Sequence, residues 1–269
     1  MEDIQSLHKV DLEIVKKVIS ICKKYNLQYF MLGGTMLGAI RHKGFIPWDD
    51  DIDLGMPRKD YEKFLEIAKA ELPEYLNVVN YKNTPNYQYY ITRIQDINVK
   101  VIEERIGNDS KFTYASIDIF PLDGSPNNTL IRKIFFFRVL FHRALMSLCY
   151  KDSIDRKRKR SFLEKILLTI LEITPIEKLT TPFKQKEKID QLLKKYDFDK
   201  SEYVGNIMGA YRTKEVVPRT WYGEGKKYQF EDIELVGLEK FEEYLTHTYG
   251  DYMQLPPVDR RKTHYRIEK

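Results

Sequence analysis

Apolar and polar positions divide the chain into an α/β part, a helical part and a turn-rich part. The first part opens with apolar residues at helical spacing, which predicts an amphipathic helix that ends near Tyr25. Short apolar or alternating runs follow, interrupted by a helical stretch at 59–71. They predict strands at 27–32, 52–56, 76–81, 89–96, 99–105 and 115–120. We therefore expect an α/β fold of the α+β type, in which helices flank a mixed sheet.

From about Ser125 the strand signals stop and long helical patterns replace them. One pattern covers 130–150 and another covers 162–173, with a charge run between them at 151–160. These segments predict a helical insertion. Turn-rich, aromatic sequence returns at 203–228.

The end of the chain carries one more amphipathic pattern. It predicts a helix at 238–249, and Gly250 follows at the position where glycine commonly ends a helix. We expect this last part to pack back on the first.

A glycine pair links the first predicted strand to a short helix. The strand at 27–32 ends at Gly33 and Gly34, and Thr35 is the expected N-cap of a helix over 36–40. Backbone N–H groups at such a junction can approach an anion closely, and the helix dipole favours negative charge there. The junction predicts a phosphate site, although a glycine pair alone is also found in ordinary turns.

A cluster of carboxylates follows the glycine junction at 49–53. In an extended strand Asp51 and Asp53 project from the same face, while Ile52 points into the core. Two adjacent carboxylates repel each other unless a cation lies between them, and Mg²⁺ suits oxygen ligands that phosphates complete. Asp49 shares the same face and stays a further candidate ligand. A solvated acidic loop or calcium turn is the alternative, but the interleaved apolar residues do not fit it.

A third acid is predicted on a neighbouring strand. Asp118 is a charge in the middle of the apolar run at 115–120, where a charged residue usually has a partner or a metal. We expect the strand to stop at Pro121, with Asp123-Gly124 as the turn that ends it. The alternative is an edge strand on which Asp118 faces water.

Three segments together resemble the LicD family, which has a nucleotidyltransferase fold and includes the fukutin-related transferases of animals. They are 33–56, 118–124 and the near-terminal 249–257. Residue by residue, the resemblance implies a glycine turn at Gly33 and Gly34, and metal-binding catalytic acids at Asp51, Asp53 and Asp118. It also implies a nucleotidyltransferase-like catalytic core at 1–124, a helical insertion at 125–200 and a C-terminal segment at 201–269.

The resemblance implies a metal-dependent phosphotransferase that uses Mg²⁺ or Mn²⁺. It would move phosphocholine, or a related alditol phosphate, from a CDP-linked donor to a hydroxyl of a cell-surface glycan or its lipid-linked precursor, releasing CMP. Teichoic acid, lipopolysaccharide and capsule are the acceptor classes implied. Asp118 would orient or deprotonate the hydroxyl. Two alternatives stay open: a nucleotidyltransferase that adds a nucleoside monophosphate to a hydroxyl, and a non-catalytic membrane-surface or calcium-binding protein.

Several other residues are candidates for binding the donor. Arg41, His42 and Lys43 lie between the glycine turn and the acids, where they can reach a diphosphate, or else form a solvated helix end. Arg93 is placed to face the site or to be an exposed strand residue. For a quaternary ammonium group, the aromatic candidates are Trp48, next to the acids, and the pair Trp221-Tyr222, although packing alone also explains aromatics.

The chain departs from the family pattern at two places. Thr263-His264 is followed by Tyr265 rather than a second histidine. The cysteine-rich zinc element of the animal relatives has no counterpart, because Cys22 and Cys149 are isolated. We therefore predict no structural zinc and, from the cysteine usage, a reducing compartment.

Composition and charge limit the partners. The 269 residues are 42% hydrophobic, enough for one substantial core, and the net charge of +5 is modest. No nucleic-acid reader motif is present, so nucleic acid is not an expected partner. No signal-peptide pattern opens the sequence, and we predict a cytoplasmic location.

The helical part also predicts contact with the inner face of the plasma membrane. The apolar stretch at 134–149 is interrupted by Arg138, His142 and Arg143, so it does not predict a membrane span. The basic block at 156–160 beside it would attract anionic lipid. An ordinary buried helix followed by a solvated loop is the alternative.

Overall fold

The computed structural model describes most of the α/β part and of the C-terminal part. Its described residues are 2–103, 111–150, 180–261, 263 and 265–267. The charge run at 151–160, the helix predicted at 162–173, the end of the strand predicted at 99–105 and His264 lie outside the described residues.

Helix α1 (Glu2–Tyr25) confirms the first predicted element. Its apolar face includes Ile14, Val15 and Val18, which are buried in the main core against the sheet. Such an apolar stripe at helical spacing is what holds an amphipathic helix on a sheet.

The first strand is shorter than predicted. Only Phe30–Met31 form β1, and they pair antiparallel with Gly55 and Leu54 of β2 (Asp53–Pro57). Leu27, Tyr29 and Leu32 are buried outside the strand, so the apolar pattern of 27–32 reflects burial rather than strand pairing.

Helix α2 (Gly33–Arg41) begins earlier than predicted. Its N-cap is Leu32, which makes no side-chain cap hydrogen bond, so the predicted N-cap role of Thr35 is wrong. Thr35 lies in the first turn, and its Oγ1 accepts a hydrogen bond of 2.8 Å from the N–H of Asp53. The hydroxyl therefore joins the start of the helix to the start of β2.

The central sheet has the order β1-β2-β5-β4-β10, where β4 is Thr92–Glu103, β5 is Lys111–Gly124 and β10 is Tyr265–Ile267. β2 and β5 are parallel, and β4 pairs antiparallel with β5 and β10. β3 (Leu76–Val79) also pairs with β4. A mixed sheet with flanking helices was predicted, and it is confirmed.

Two strands predicted at 89–96 and 99–105 are one strand in the structure. β4 continues from Thr92 to Glu103, with a register shift between Asp96 and Lys100. The polar residues at the shift produced a break in the sequence pattern that is only a local irregularity in the sheet.

The prediction that β5 stops at Pro121 is also wrong. The N–H of Asp118 donates to the carbonyl of Ile52, so the N–H groups at odd-numbered positions near it point to the β4 side. β4 begins with Thr92 opposite Ile119, so no residue of β4 lies opposite position 121. The missing N–H of Pro121 therefore breaks no hydrogen bond to β4. Beyond that point β5 continues to Gly124.

Asp123-Gly124 is therefore not a turn. Asp123 pairs with Gly205 and Gly124 with Val204 of strand β6 (Tyr203–Gly205). β6 pairs in turn with β7 (Val217–Pro218). The carboxylate of Asp123 is buried in an ion pair with Arg58.

Three further helices of more than ten residues lie within the described ranges. They are α3 (Arg58–Glu71), α4 (Thr129–Leu148) and α5 (Pro182–Leu193). α3 and α4 agree with the helices predicted at 59–71 and 130–150. α4 and α5 share a second apolar cluster that includes Phe135, Val139 and Ile189.

The C-terminal part returns to the main core. Its elements are α6 (Arg219–Tyr222), the hairpin of β8 (Lys226–Phe230) and β9 (Ile233–Gly237), and α7 (Phe241–Tyr249). Gly250 has φ +74° and ends α7 as predicted. Within the described ranges, no helix is long and apolar enough to cross a membrane.

Candidate functional site

The three predicted acids lie at one place in the sheet. Asp53 begins β2, and Asp118 is its direct partner on the parallel strand β5. Asp51 lies two residues before Asp53, and Ile52 between them is fully buried. The alternation expected from the sequence therefore directs both carboxylates to the face opposite Ile52.

These carboxylates occupy an environment that opposes their negative charge. Burial raises the pKa of Asp51, and the charges of Asp49 and Asp118 raise it further. Burial also raises the pKa of Asp53, and Asp51 and Asp118 add to the shift. A cation bound between them would remove this repulsion, so the site fits a divalent metal.

Arg93 is the partner of Asp118. Its Nε donates to Oδ1 of Asp118 at 2.9 Å, and its guanidinium lies 4.2 Å from the ring centroid of Tyr89. Arg93 is only 8% exposed, so it is not an exposed strand residue. Burial raises the pKa of Asp118, and Arg93 counteracts that rise. The pair fixes the orientation of the third acid.

The present side-chain positions do not enclose a metal by themselves. In the part of the chain that the structure describes, no three carboxylate, imidazole or thiol side chains are grouped so that they could hold an ion. Asp51 and Asp53 have no ion pair among the described residues, whereas Asp118 is paired with Arg93. In the described part of the chain, no ion pair thus offsets the charge of Asp51 or Asp53, whereas Asp118 is oriented by Arg93.

The two glycines make room for carboxylates. Gly33 has φ +48°, which favours glycine, and its N–H donates to the hydroxyl of Tyr244 at 3.1 Å. At Gly34 a Cβ would collide with Oδ2 of Asp49. The glycine pair therefore brings the start of α2 close to the acid segment.

Asp49, Asp51 and Asp53 open into a cavity of about 620 Å³, which Asp118 does not line. Its other lining residues include four aromatic side chains, the basic residues Arg41 and Arg260, and Asp251. The aromatic residues are Trp48, Tyr211, Tyr249 and Tyr252. A cavity with aromatic walls and a carboxylate base is suited to a ligand that carries both apolar or cationic groups and metal-bound phosphates.

Of the three basic residues predicted to reach the donor, Arg41 lines this cavity. Its Nη1 donates to the carbonyl of Tyr252 at 2.9 Å, and its Nε donates to Nε2 of His42 at 2.9 Å. Burial lowers the pKa of His42, and Arg41 lowers it further. His42 contacts the edge of Trp48, whereas Lys43 is exposed and outside the cavity.

Of the aromatic residues predicted to bind a quaternary ammonium group, one lines the cavity and two do not. Trp48 lines the cavity, and the guanidinium of Arg261 lies 4.9 Å from its ring centroid. Trp221 and Tyr222 do not line it: Tyr222 is buried in the core, and Trp221 packs against His247.

The aromatic cavity wall was missed at the sequence level. Tyr211 is in the C-terminal part, and Tyr249 and Tyr252 belong to the near-terminal motif at 249–257. That motif was recognised without a role for its tyrosines. Only the folding back of the C-terminal part brings these rings to the acids.

Asp11 was also missed. It lies on α1 and is fully buried, and neither carboxylate oxygen has a hydrogen-bond partner among the described residues. Burial raises its pKa well above the usual range, and the charges of Asp51, Asp50 and Asp118 raise it further. Its signal in the sequence is a charge on the apolar face of an amphipathic helix, at helical spacing from Leu7 and Ile14.

Replacing Asp11 with asparagine is expected to stabilise the metal-free protein by about 1–2 kcal/mol, because the amide keeps the shape but cannot carry the buried negative charge that Asp51, Asp50 and Asp118 oppose. Urea denaturation in the presence of a chelator measures the effect. Glu13→Gln, at an exposed position of the same helix, is the control and should change stability by less than about 0.5 kcal/mol. A less stable Asp11→Asn protein would contradict this account of Asp11.

Acids arranged in this way on parallel strands beside a glycine-led helix are those of a nucleotidyltransferase-type domain. The model of the family "LicD/FKTN/FKRP, nucleotidyltransferase domain" matches residues 26–164. The chain belongs to this LicD family, as the resemblance predicted.

Two relatives show the range of the family. The lipopolysaccharide cholinephosphotransferase LicD of Haemophilus influenzae is 30% identical over 262 residues, which are 95% of this chain and 93% of that protein. The ribitol 5-phosphate transferase FKRP of Homo sapiens is 36% identical over 59 residues, or 22% of this chain and 12% of that protein. Both relatives are named as transferases of a phosphate-linked group.

Proposed function

We propose that the protein transfers phosphocholine, or a related alditol phosphate, from a CDP-linked donor to a hydroxyl of a cell-surface glycan or its lipid-linked precursor. The observation that carries this proposal is the placement of Asp53 opposite Asp118 on parallel strands, with Asp51 beside them at an aromatic cavity. The similarity to the cholinephosphotransferase over 95% of the chain supports it.

In the proposed reaction the acceptor hydroxyl oxygen forms a bond to the phosphorus that carries choline or the alditol. The bond from that phosphorus to the CMP oxygen breaks, and CMP leaves with the electron pair. Asp118 orients the hydroxyl and accepts its proton, and Arg93 holds Asp118 in place for this role. Positioning of this kind supplies most of the catalysis in phosphoryl transfer.

Asp51 and Asp53 would hold Mg²⁺ or Mn²⁺, with Asp118 as the third acid. When bound, the ion would neutralise the diphosphate of the donor and stabilise charge on the transferred phosphoryl group. Arg41 and Arg260 both line the cavity and are placed to bind a donor phosphate.

The cavity wall supports a cationic group on the donor. Trp48, Tyr211, Tyr249 and Tyr252 line the cavity beside Asp51 and Asp53, and quaternary ammonium groups bind well over aromatic rings. An alditol could also pack on them, which is why both donors are tested.

The test is CMP release by the purified protein with Mg²⁺ or Mn²⁺, with CDP-choline, CDP-ribitol and CDP-glycerol offered in parallel and a membrane glycan extract as acceptor. Release from one donor, with its phosphoalcohol bound to the glycan, supports the proposal and identifies the transferred group. Cytidine label on the glycan instead would show nucleotidyl transfer. Metal binding without CMP release from any donor would favour the non-catalytic alternative.

We also propose that α4 binds an anionic membrane surface, where a lipid-linked acceptor would be found. Its exposed apolar residues share one side of the helix: Leu130, Ile131, Ile134, Phe137 and Phe141. Lys133 and Arg138 are exposed on α4, and the helix contains no acidic residue. An exposed apolar face that carries basic but no acidic residues complements an anionic lipid headgroup layer.

Phe137→Glu is expected to weaken binding to vesicles that contain phosphatidylglycerol by about 10-fold, because a phenylalanine exposed by 70% would no longer enter the lipid. Vesicle flotation measures this binding. Phe112→Glu, at a site exposed by 67% on β5, is the matched control and should bind like the unmodified protein. Equal binding by both variants would contradict a lipid-contacting α4.

A further inference from the structure

A second cavity lies away from the acids, at the start of α5. Its volume is about 620 Å³, and it lies between the loop at 81–87 and the first turn of α5. The aromatic residues that line it are Tyr81, Tyr87, Tyr150 and Phe183. None of the residues of the catalytic cavity lines it.

Lys186 is a buried cation in the wall of this cavity. It is only 2% exposed, and its Nζ donates to the carbonyl of Tyr87 and, at 3.1 Å, to the hydroxyl of Tyr150. The ammonium also lies 5.8 Å from the ring centroid of Tyr81 and 5.6 Å from that of Tyr150. These neutral partners orient the ammonium without neutralising its charge.

The nearby carboxylates on α5 bind partners other than Lys186. Asp190 binds Arg58, Lys82 and Lys194, and Glu187 accepts from the hydroxyl of Tyr81. Among the described residues, no carboxylate pairs with Lys186. Burial lowers its pKa to about 8, which leaves it mostly protonated at neutral pH. A buried charge without a counter-ion is costly, and a bound anion would offset that cost.

The helix end at this cavity also favours an anionic ligand. The N-terminal end of α5, a helix of 12 residues, lies at the cavity and contributes partial positive charge. Aromatic walls suit the apolar faces of sugar rings, and the exposed side chain of Asn86 suits their hydroxyls.

A series of side-chain contacts links the wall of this cavity to Asp118. Tyr87, which accepts from Lys186, contacts the ring of Tyr89, and that ring packs against Arg93, the partner of Asp118. A saccharide bound at Lys186 would thus lie next to the segment that supports the acid expected to orient the acceptor hydroxyl.

We propose that this cavity binds an anionic saccharide, with the phosphate or carboxylate group on Lys186 and sugar rings against Tyr81 and Phe183, and that it is the subsite for the acceptor glycan. Calling the occupant an acceptor rests on the proposed function; the binding of an anionic sugar does not.

The test is calorimetric titration of the full-length protein with hexose 6-phosphate, neutral hexose and inorganic phosphate. Hexose 6-phosphate is expected to bind more tightly than either of the other probes. Lys186→Met, which keeps the apolar stem, should weaken that binding at least 10-fold. Lys188→Met removes an exposed lysine from the same helix and should leave it unchanged.

Phe183→Ala keeps the test decisive if Lys186→Met does not fold. Phe183 is 52% exposed, so its removal should leave the fold intact and weaken binding about 5-fold. Equal affinity of the unmodified protein, Phe183→Ala and folded Lys186→Met for hexose 6-phosphate would overturn the proposal, as would the absence of binding.

Turnover separates this proposal from the proposed function. If the protein releases CMP, Lys186→Met should raise the KM for the glycan acceptor and leave the KM for the donor unchanged. If the unmodified protein binds hexose 6-phosphate through Lys186 but releases no CMP, the binding site stands and the transferase proposal fails.

Discussion

Replacing Asp53 with asparagine is expected to lower CMP release by about 10³-fold or more, because the site would lose one of the two carboxylates proposed to hold the metal. The shape of the side chain is kept, and the hydrogen bond from the N–H of Asp53 to Thr35 does not use the carboxylate. The loss of CMP release should therefore come from the missing negative charge and not from a change of fold. Initial rates at saturating donor measure it.

Two further measurements separate lost catalysis from lost structure. Mn²⁺ should raise the melting temperature of the unmodified protein and have little effect on Asp53→Asn. Without metal, Asp53→Asn should melt at the same or a higher temperature, since Asp51 and Asp118 repel the native carboxylate. Asp199→Asn, an exposed acid outside the cavity, is the control and should retain full activity. Full activity of Asp53→Asn would remove the proposed metal role.

Replacing Arg58 with alanine is expected to destabilise the protein by about 3–5 kcal/mol, because, among the described residues, it leaves the buried carboxylate of Asp123 without its ion-pair partner and removes one of the three ion-pair partners of Asp190. Arg58 binds Asp123 through Nε at 2.7 Å and Nη2 at 2.6 Å, and it binds Asp190 through Nη1 at 2.9 Å. It also donates to the hydroxyl of Tyr90. The side chain thus joins α3, β5 and α5. Urea denaturation at pH 7 measures the loss.

Arg58→Lys keeps the charge but not the paired donors, so it should destabilise less than Arg58→Ala. Lys24→Ala breaks the more exposed pair with Glu71 and is the surface control, with a loss of at most about 1 kcal/mol. A loss at Arg58→Ala no larger than at Lys24→Ala would show that the buried network contributes little.

The same network predicts a pH dependence. Burial alone would raise the pKa of Asp190, but Arg58 and hydrogen bonds from Tyr90, Lys194 and Lys82 outweigh it and lower the pKa to about 2. Because the folded value lies below the unfolded one, this stabilisation is present above about pH 4 and is lost as the pH falls towards 2. Arg58→Ala should therefore lose less stability than the unmodified protein between about pH 4 and pH 2, as urea denaturation at the two pH values would measure.

Local patterns predicted most of the elements and the shared face of Asp51 and Asp53 well, for a physical reason. Strand alternation places Asp51 and Asp53 opposite Ile52 whatever the rest of the fold does, and the apolar spacing of α1 requires a helix on the core. The strand end predicted at Pro121 was wrong, because a proline disrupts a strand only where the neighbouring strand would need the N–H that proline lacks. Whether it does is decided by where β4 begins.

Contacts distant in the sequence were not predictable in the same way. Arg93 could not be assigned to Asp118 until the antiparallel register of β4 and β5 made them partners. Lys186 was not a candidate, because a lysine on a polar helix is normally exposed, and only packing against the 81–87 loop buries it. Pairings of this kind depend on three-dimensional distance, which no local pattern carries.

By itself, the sequence determined the order of most helices and strands, the spacing of the acids and the family, because these depend on local periodicity and on motifs read along the chain. Only the tertiary structure decided that Asp11 lies buried beneath the acids, that Tyr211 and Tyr249 face them, and that Lys186 borders a second cavity. Each of these depends on segments far apart in the chain, whose approach is set by the burial of the whole core.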